Sequence, residues 1–335
     1  MLRFIVRRIL QMIGVLFVLS ILLFAWTRSL PGGPVDAICG ERCNADQRQA
    51  LRAQLGLDKS VPAQYWTFLT NAFQGKFGTS TGVLPGTDAL DLFLKRLPAT
   101  IELSFGAILI ALVLGVPLGF LAAKRRGGWL DNTSVMTSLI GVAVPVFFIA
   151  YLLKYFLAIK YHVLPLQGRQ DDIDATRVTG FFVLDGLLTQ EWDAAWNALK
   201  HLVLPSIALS TIPFAVIFRI TRASVLDVLD EDYVRTAEAK GLTSRTIRDR
   251  HVLRNAMLPV VTTLGLQIGA LLGGAVLTER VFVWGGVGES LANAFSLKDY
   301  AVIQVFILMA AAGYVIINLL VDIMYAVIDP RVRTR

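Results

Sequence analysis

YVRTAEAKGLTSRTIRDRHVLRNAMLP, residues 233–259, is charged, helical in pattern and rich in small residues. It nevertheless lies between two segments apolar enough to cross a bilayer, 202–218 and 255–278. Gly241 supplies the left-handed conformation that ends a helix, and Ser244 is placed to cap a second short helix over 245–255. The helix of the preceding span is expected to run on through 222–232, and Pro259 to open the next span. This gives a helix–turn–helix elbow joined at both ends to membrane helices. Thr236, Ala237, Ala239 and Gly241 are small, so another protein's backbone could come near. Two readings stay open on physical grounds: a helix seated in a partner's groove, or a basic segment resting on anionic lipid.

The rest of the chain supports the membrane setting. Its 335 residues are 55% hydrophobic and 17% charged, with a mean hydropathy of +0.61. That composition belongs to an integral membrane protein. A bilayer core takes roughly 20 mostly apolar residues per helix, and six stretches meet or approach this: 9–27, 103–123, 133–153, 202–218, 255–278 and 300–321. The first is too long for a typical signal segment and lacks a clean cleavage site, so it reads as a retained span. The net charge of +7 is assigned to cytoplasmic loops rather than to nucleic-acid binding. Arg3, Arg7 and Arg8, then Lys124, Arg125 and Arg126, then the arginines from Arg219 to Arg254, and finally Arg331, Arg333 and Arg335 all fall on one side of a six-span chain. Both termini are therefore expected in the cytoplasm.

The long loop 28–98 is expected to be folded. Asn44 can cap a helix over 45–55 that stops at Gly56. Ser60 and Pro62 open a second helix, where Tyr65, Phe68, Leu69 and Phe73 share a face for packing on the spans or the membrane surface. Cys39 and Cys43 are the only cysteines. On an oxidising face they can pair, with two free thiols as the alternative. No metal site is expected, since no further ligands lie near. In loop 159–200, Asp171, Asp172 and Asp174 read as solvated surface or a docking site, and Trp192 and Trp196 as membrane-interface residues.

Chemistry of its own is not expected. The chain has no G-x-x-x-x-G-K-[ST] and no H-E-x-x-H, and WGGVGES, 284–290, reads as a turn. Glu102, Glu279 and Asp322 fall near span ends, within reach of water or headgroups. Pro117, Pro145 and Pro213 lie within spans and favour kinks, static or hinge-like. Gly265, Gly269 and Gly273 form a smooth strip, as do Gly115 and Gly119, suited to close packing inside one subunit or to a seam with a second. Phe147, Phe148 and Gln267 are pathway candidates from their mid-span positions.

The 233–259 stretch resembles the "EAA" loop of ABC-importer permeases, whose pattern is E-A-A, three residues, G, nine residues, then I-x-L-P. Gly241 stands for its Gly, Ala237 for its second Ala and Leu258-Pro259 for its L-P. Arg235, Thr236 and Ala256 replace its Glu, first Ala and Ile. Within the dipeptide/oligopeptide/nickel permeases D-Y-V-R-T-A-x-A-K-G is the familiar form, and 232–241 reads so. RRILQMIGVLFVLSILLFAWTRSLPGGPVD, LGLDKSVPAQYWTFL, FGTS, RLPATIEL, HLVLPSIALS, VFVWGGVGESLANAFSLKDYAVIQ and NLLVDIMYAVIDPRVR are similar to that family's recurring phrases. The long first outer loop fits the B-type subunit.

That resemblance implies an all-α integral membrane protein of six transmembrane helices with the type I ABC-importer permease fold. A folded extracytoplasmic loop follows its first helix. The implied divisions are 1–30, the N-terminus and first span; 31–98, the outer loop; and 99–335, the core permease with its coupling loop at about 223–258. It implies a bacterial inner-membrane location and a C-type permease partner, two cytoplasmic ATPases that carry ATP and Mg, an external binding protein and membrane lipid. It implies that the chain itself binds no cofactor and is no enzyme. Tyr233, Arg235, Thr236, Ala237, Ala239, Lys240, Gly241, Leu258 and Pro259 are the implied ATPase-coupling residues, and loops 159–200 and 281–300 are expected to meet the binding protein. The cargo stays open among peptides, nickel, glutathione and heme. A stand-alone channel or secondary transporter is the alternative, and the lack of mid-span acids counts against it.

Overall fold

The computed structural model describes residues 2–29, 35, 39, 43–54 and 56–328. The turn at 31–33, Leu55, the terminal arginines and the surroundings of Gly273 and Asp322 lie outside the described residues. In chain order the helices are α1 (Leu2–Ser29), α2 (Ala45–Gln54), α3 (Val61–Phe73), α4 (Ala89–Lys124), α5 (Trp129–Ala143) and α6 (Val146–Leu153). A wider π-helical stretch, Lys154–Lys160, prolongs α6. Then come α7 (Phe182–Leu188), α8 (Trp192–Leu229), α9 (Asp232–Ala239), α10 (Ser244–Thr246), a second π stretch (Ile247–Leu253), α11 (Arg254–Gly274), α12 (Val276–Phe282), α13 (Val287–Leu297) and α14 (Tyr300–Ile328). Among the described residues the only strand-like pairing is an isolated bridge between Thr79 and Asp88. The described residues form an all-α fold.

Four helices, α1, α4, α8 and α14, are long and apolar enough to span a membrane alone. Two helix pairs meet the same length and apolarity only when taken together across a sharp bend, α5 with α6 at 104° and α10–α11 with α12 at 59°, which gives six spans if each pair is one. The prolines behave differently from one another. Pro145 breaks its helix, because Val144 before it is extended (φ −85, ψ 129), the conformation a following proline enforces. Pro117 does not interrupt α4, and α8 runs unbroken through Pro205 and Pro213. Both α8 prolines are buried among neighbouring helices, whose packing holds the backbone helical.

The chain divides into two compact units, one of residues 1–98 with 285–316, the other of 99–284 with 317–335. In the first, Asn44 Oδ1 accepts from the Gln47 amide (2.9 Å), while Gln47 Oε1 accepts from the Asn44 amide (3.1 Å). This reciprocal cap explains why α2 starts there. Cys39 and Cys43 form a disulfide, with Cα atoms 5.2 Å apart. α3 packs on α1: Tyr65 and Phe68 meet Phe24 at 5.2 and 5.8 Å, and the Ser20 and Tyr65 hydroxyls are 2.9 Å apart. Phe73, expected on that face, is 86% exposed, since the contacts with α1 come from residues earlier in α3. The buried Asp299 carboxylate accepts from Ser80 Oγ (2.6 Å) and the amides of Thr81, Gly82 and Val83. One side chain thereby fixes the turn that follows F-G-T-S.

In the second unit α4 and α8 approach closely at glycines. A Cβ at Gly119 would lie 2.8 Å from the Phe218 carbonyl, and one at Gly115 3.1 Å from Ile217. Glu279 does not reach water. It is fully buried and accepts from Thr100 Oγ1 at 2.6 Å, because α12 turns it back towards the core. Glu102 is likewise buried and pairs with Arg169 at 2.5 Å. Of WGGVGES only 284–286 are a turn, with Gly285 and the preceding Val283 left-handed (φ 72 and 49), because Val287–Ser290 already wind into α13. Asp171 is exposed yet tied to Asn197, which donates to it at 2.6 Å.

Asp185 organises the outer loop before α8. Burial opposes its charge, but the Thr179 hydroxyl and the amides of Thr179 and Gly180 donate to it and hold its pKa below the usual carboxylate range. A depressed carboxylate stabilises above its unfolded pKa of about 3.9 and loses that contribution as pH falls through the folded value. Amide-exchange protection at 179–189 should therefore be steady near neutral pH and fall below about pH 4. In Asp185→Asn protection should be lower throughout and lack that acid step; a step of equal size in both proteins would contradict the assignment.

Candidate functional site

The elbow is built from α8's end, α9, α10, the second π stretch and the start of α11. α8 stops at Leu229 rather than continuing to Asp232. Glu231 is extended (φ −74, ψ 141) and begins α9 as a separate helix. α9 closes on Gly241, at φ +72, with the Gly241 amide donating to Glu238 O (2.9 Å) and the Leu242 amide to Ala237 O (3.3 Å). A side chain at Gly241 would meet no atom within 4 Å, so the glycine is required by its conformation, not by crowding.

Thr243, not Ser244, caps the next helix: its hydroxyl accepts from the Thr246 amide. Adjacent threonine and serine can both cap, and here the extended residue is Thr243 (φ −63, ψ 146). The expected short helix 245–255 is a π stretch that passes directly into α11. Pro259 therefore lies inside α11 instead of opening a span. Counted from Gly241, nine residues end at Arg250, so the motif's L falls on Leu253 and Leu258-Pro259 lie five residues beyond it. Leu258 is 45% exposed on the helix leaving the elbow.

The short α9 has two faces. Val234 and Ala237, 1% and 4% exposed, enter a core of Ala123, Val225, Ile247, Val252 and Ala256. Ala237 is therefore not open to a partner. The other face leaves Tyr233, Arg235, Thr236, Glu238, Ala239, Lys240 and Gly241 exposed. Thr236 spends its hydroxyl on Asp232 O, and Tyr233 accepts from Asn255 Nδ2 at 3.0 Å, linking the two arms. On the following helix Arg248 donates to Asp249 at 2.6 Å and lowers that carboxyl's pKa.

Sequence reasoning missed the elbow's main anchor. Asp131 at the start of α5 is buried and accepts from Arg222 Nε and Nη2 of α8 at 2.6 and 2.8 Å. It also accepts from the Gly127 amide at 2.9 Å. The pair fixes the basic turn 124–128 and the start of α5 to the helix entering the elbow. The available signal was a single acid, Asp131, directly after K-R-R-G-G-W-L.

The other candidates are not gathered at one place. Phe147 and Phe148 are exposed on α6, whereas Gln267 is half-buried on α11. Gly265 is a packing residue: a Cβ there would lie 2.3 Å from Val321 Cγ1. Gly269 is buried on the same helix. Among the described residues no cluster of three metal-ligating side chains occurs.

Comparison with known proteins places these features in context. Residues 115–334 match the family of binding-protein-dependent transport system inner membrane components. Residues 1–104 match that family's N-terminal membrane component. The chain is 41% identical over 338 residues to the dipeptide transport system permease protein DppB of Escherichia coli K12, covering 99% of each. It is 42% identical over 335 residues to the di/tripeptide transport system permease protein DppB of Pseudomonas aeruginosa UCBPP-PA14, again covering 99% of each. With the glutathione transport system permease protein GsiC of Escherichia coli O1:K1 it shares 36% identity over 333 residues.

Proposed function

This chain belongs to the binding-protein-dependent transport system inner membrane components, and from that premise we propose that it is one of two unlike permease subunits of an ATP-driven peptide importer. It pairs with a C-type permease in the inner membrane, with both termini in the cytoplasm. Two cytoplasmic ATPases bind ATP and Mg and lie against the elbow. An external binding protein delivers di- or oligopeptides to a cavity between the permeases, meeting them through loops 159–200 and 281–300. ATP binding draws the ATPases together and favours the outward-open arrangement; hydrolysis returns the pair to inward-open. ATP can shift this equilibrium only by its differential affinity for the two ATPase arrangements.

The observation that carries this reading is the split character of α9. One face is held in the chain's own core, and the other leaves charged and small side chains exposed. A helix so anchored moves with the spans and leaves a surface for a groove.

The double variant Arg235→Glu with Lys240→Glu tests this, since both positions are exposed. ATPase co-purification and peptide-stimulated ATP turnover should fall at least tenfold while the melting temperature of the permease stays unchanged. Full ATPase association in this variant would show that the elbow is not the docking element.

A further inference from the structure

We propose that a cavity within the first unit holds the phosphate of an anionic phospholipid, at the level where α1 leaves the bilayer. The cavity has a volume of about 520 Å³, within the range of small-ligand sites. It is bounded by the end of α1, α3, the segments around Lys59 and Lys76, and the start of α14. Arg28, Lys59 and Lys76 line it, and no carboxylate does among the described residues. None of the three is paired with an acid among those residues. Cations of one sign around a concave space repel one another and raise the local potential for an anion.

The position of Arg28 is built. Its Nε donates to Gln64 Oε1 at 2.8 Å, and its guanidinium lies 3.6 Å from the Phe24 ring centre. Gln64 in turn donates to Leu57 O and Lys59 O, at 3.1 and 2.7 Å. The amide that orients Arg28 therefore also fixes the backbone carrying Lys59. The terminal guanidinium nitrogens have no protein partner among the described residues.

Depth favours a lipid over a free anion, on the reading of α1 as a membrane span. Arg28 stands in the last turn of that span. Trp26, exposed just before it, is of the type that settles among headgroups. At that level a phosphodiester is the abundant anion.

The test uses the full-length protein, purified in neutral detergent and titrated with phosphatidylglycerol or phosphatidylcholine, with bound lipid read by native mass spectrometry. One phosphatidylglycerol should be retained in preference to phosphatidylcholine. Lys59→Gln with Lys76→Gln should cut that retention about tenfold or more without changing the melting temperature, and Lys59→Arg with Lys76→Arg should keep it. Equal retention of both lipids, or retention unaffected by the glutamine pair, overturns the proposal. Inorganic phosphate binding that is lost in the glutamine pair while lipid retention is not would make the ligand a soluble anion, and the lipid assignment would fall.

Discussion

Arg222→Ala should destabilise the protein by about 3–5 kcal/mol, because it leaves the Asp131 carboxylate buried without its counter-charge. Asp131 is almost fully enclosed, and besides Arg222 the Gly127 amide donates to it. Thermal unfolding in detergent should show the loss. Asp131→Asn should cost less, since an amide oxygen can still accept from Arg222. Exchanging the two residues, Asp131→Arg with Arg222→Asp, should recover part of the stability. The pair also bears on transport. It joins α5 to α8 one turn or two before the elbow, so its loss should lower ATP-driven uptake even where the protein is inserted and the ATPases are bound. A melting curve for Arg222→Ala that matches the unaltered protein would remove the anchor from the account.

Ala237→Asp and Ala239→Asp should differ sharply although they lie two residues apart. Ala237 is packed among Ala123, Val225 and Ile247, and a carboxylate there would be buried without a donor, at a cost of several kcal/mol. α9 should come away from the spans. Protease sensitivity at 232–243 should rise, and ATPase co-purification should be lost while the membrane helices stay folded. Ala239 is exposed, so its aspartate should leave proteolysis unchanged and affect only ATPase affinity. Equal protection in the two variants would mean that α9 does not bury the face described.

The spans were legible because a bilayer demands long apolar runs, and α1, α4, α8 and α14 carry them. Asn44 and Gly241 were legible because capping and left-handed positions accept few residue types. What escaped depended on distant partners. Ala237 and Ala239 are chemically alike in an eight-residue helix, and only the packing of Ala123 and Val252 against one of them separates the two. Asp131 and Arg222 are 91 positions apart. Pro145 and Pro213 carry the same ring, but the burial that keeps α8 continuous around Pro213 is a property of its neighbours. Glu279 looked solvent-facing because its distance from Thr100 along the chain hides their contact.

The stretch Ile247–Leu253 winds with more residues per turn than the helix it feeds. Its inward side chains follow suit: Ile247 to Val252 is a step of five, whereas Val252 to Ala256 and Ala256 to Val260 are steps of four. The looser coil is thus a phase adjuster. Deleting one residue there would restore uniform winding, with Ile247 then four positions from Val252 and still inward, so the wide turn takes up one residue without turning Ser244 or the polar side of the knuckle. The stretch between Gly241 and Ala256 can therefore differ in length by one residue, as wide or ordinary helix, while the knuckle keeps the same azimuth.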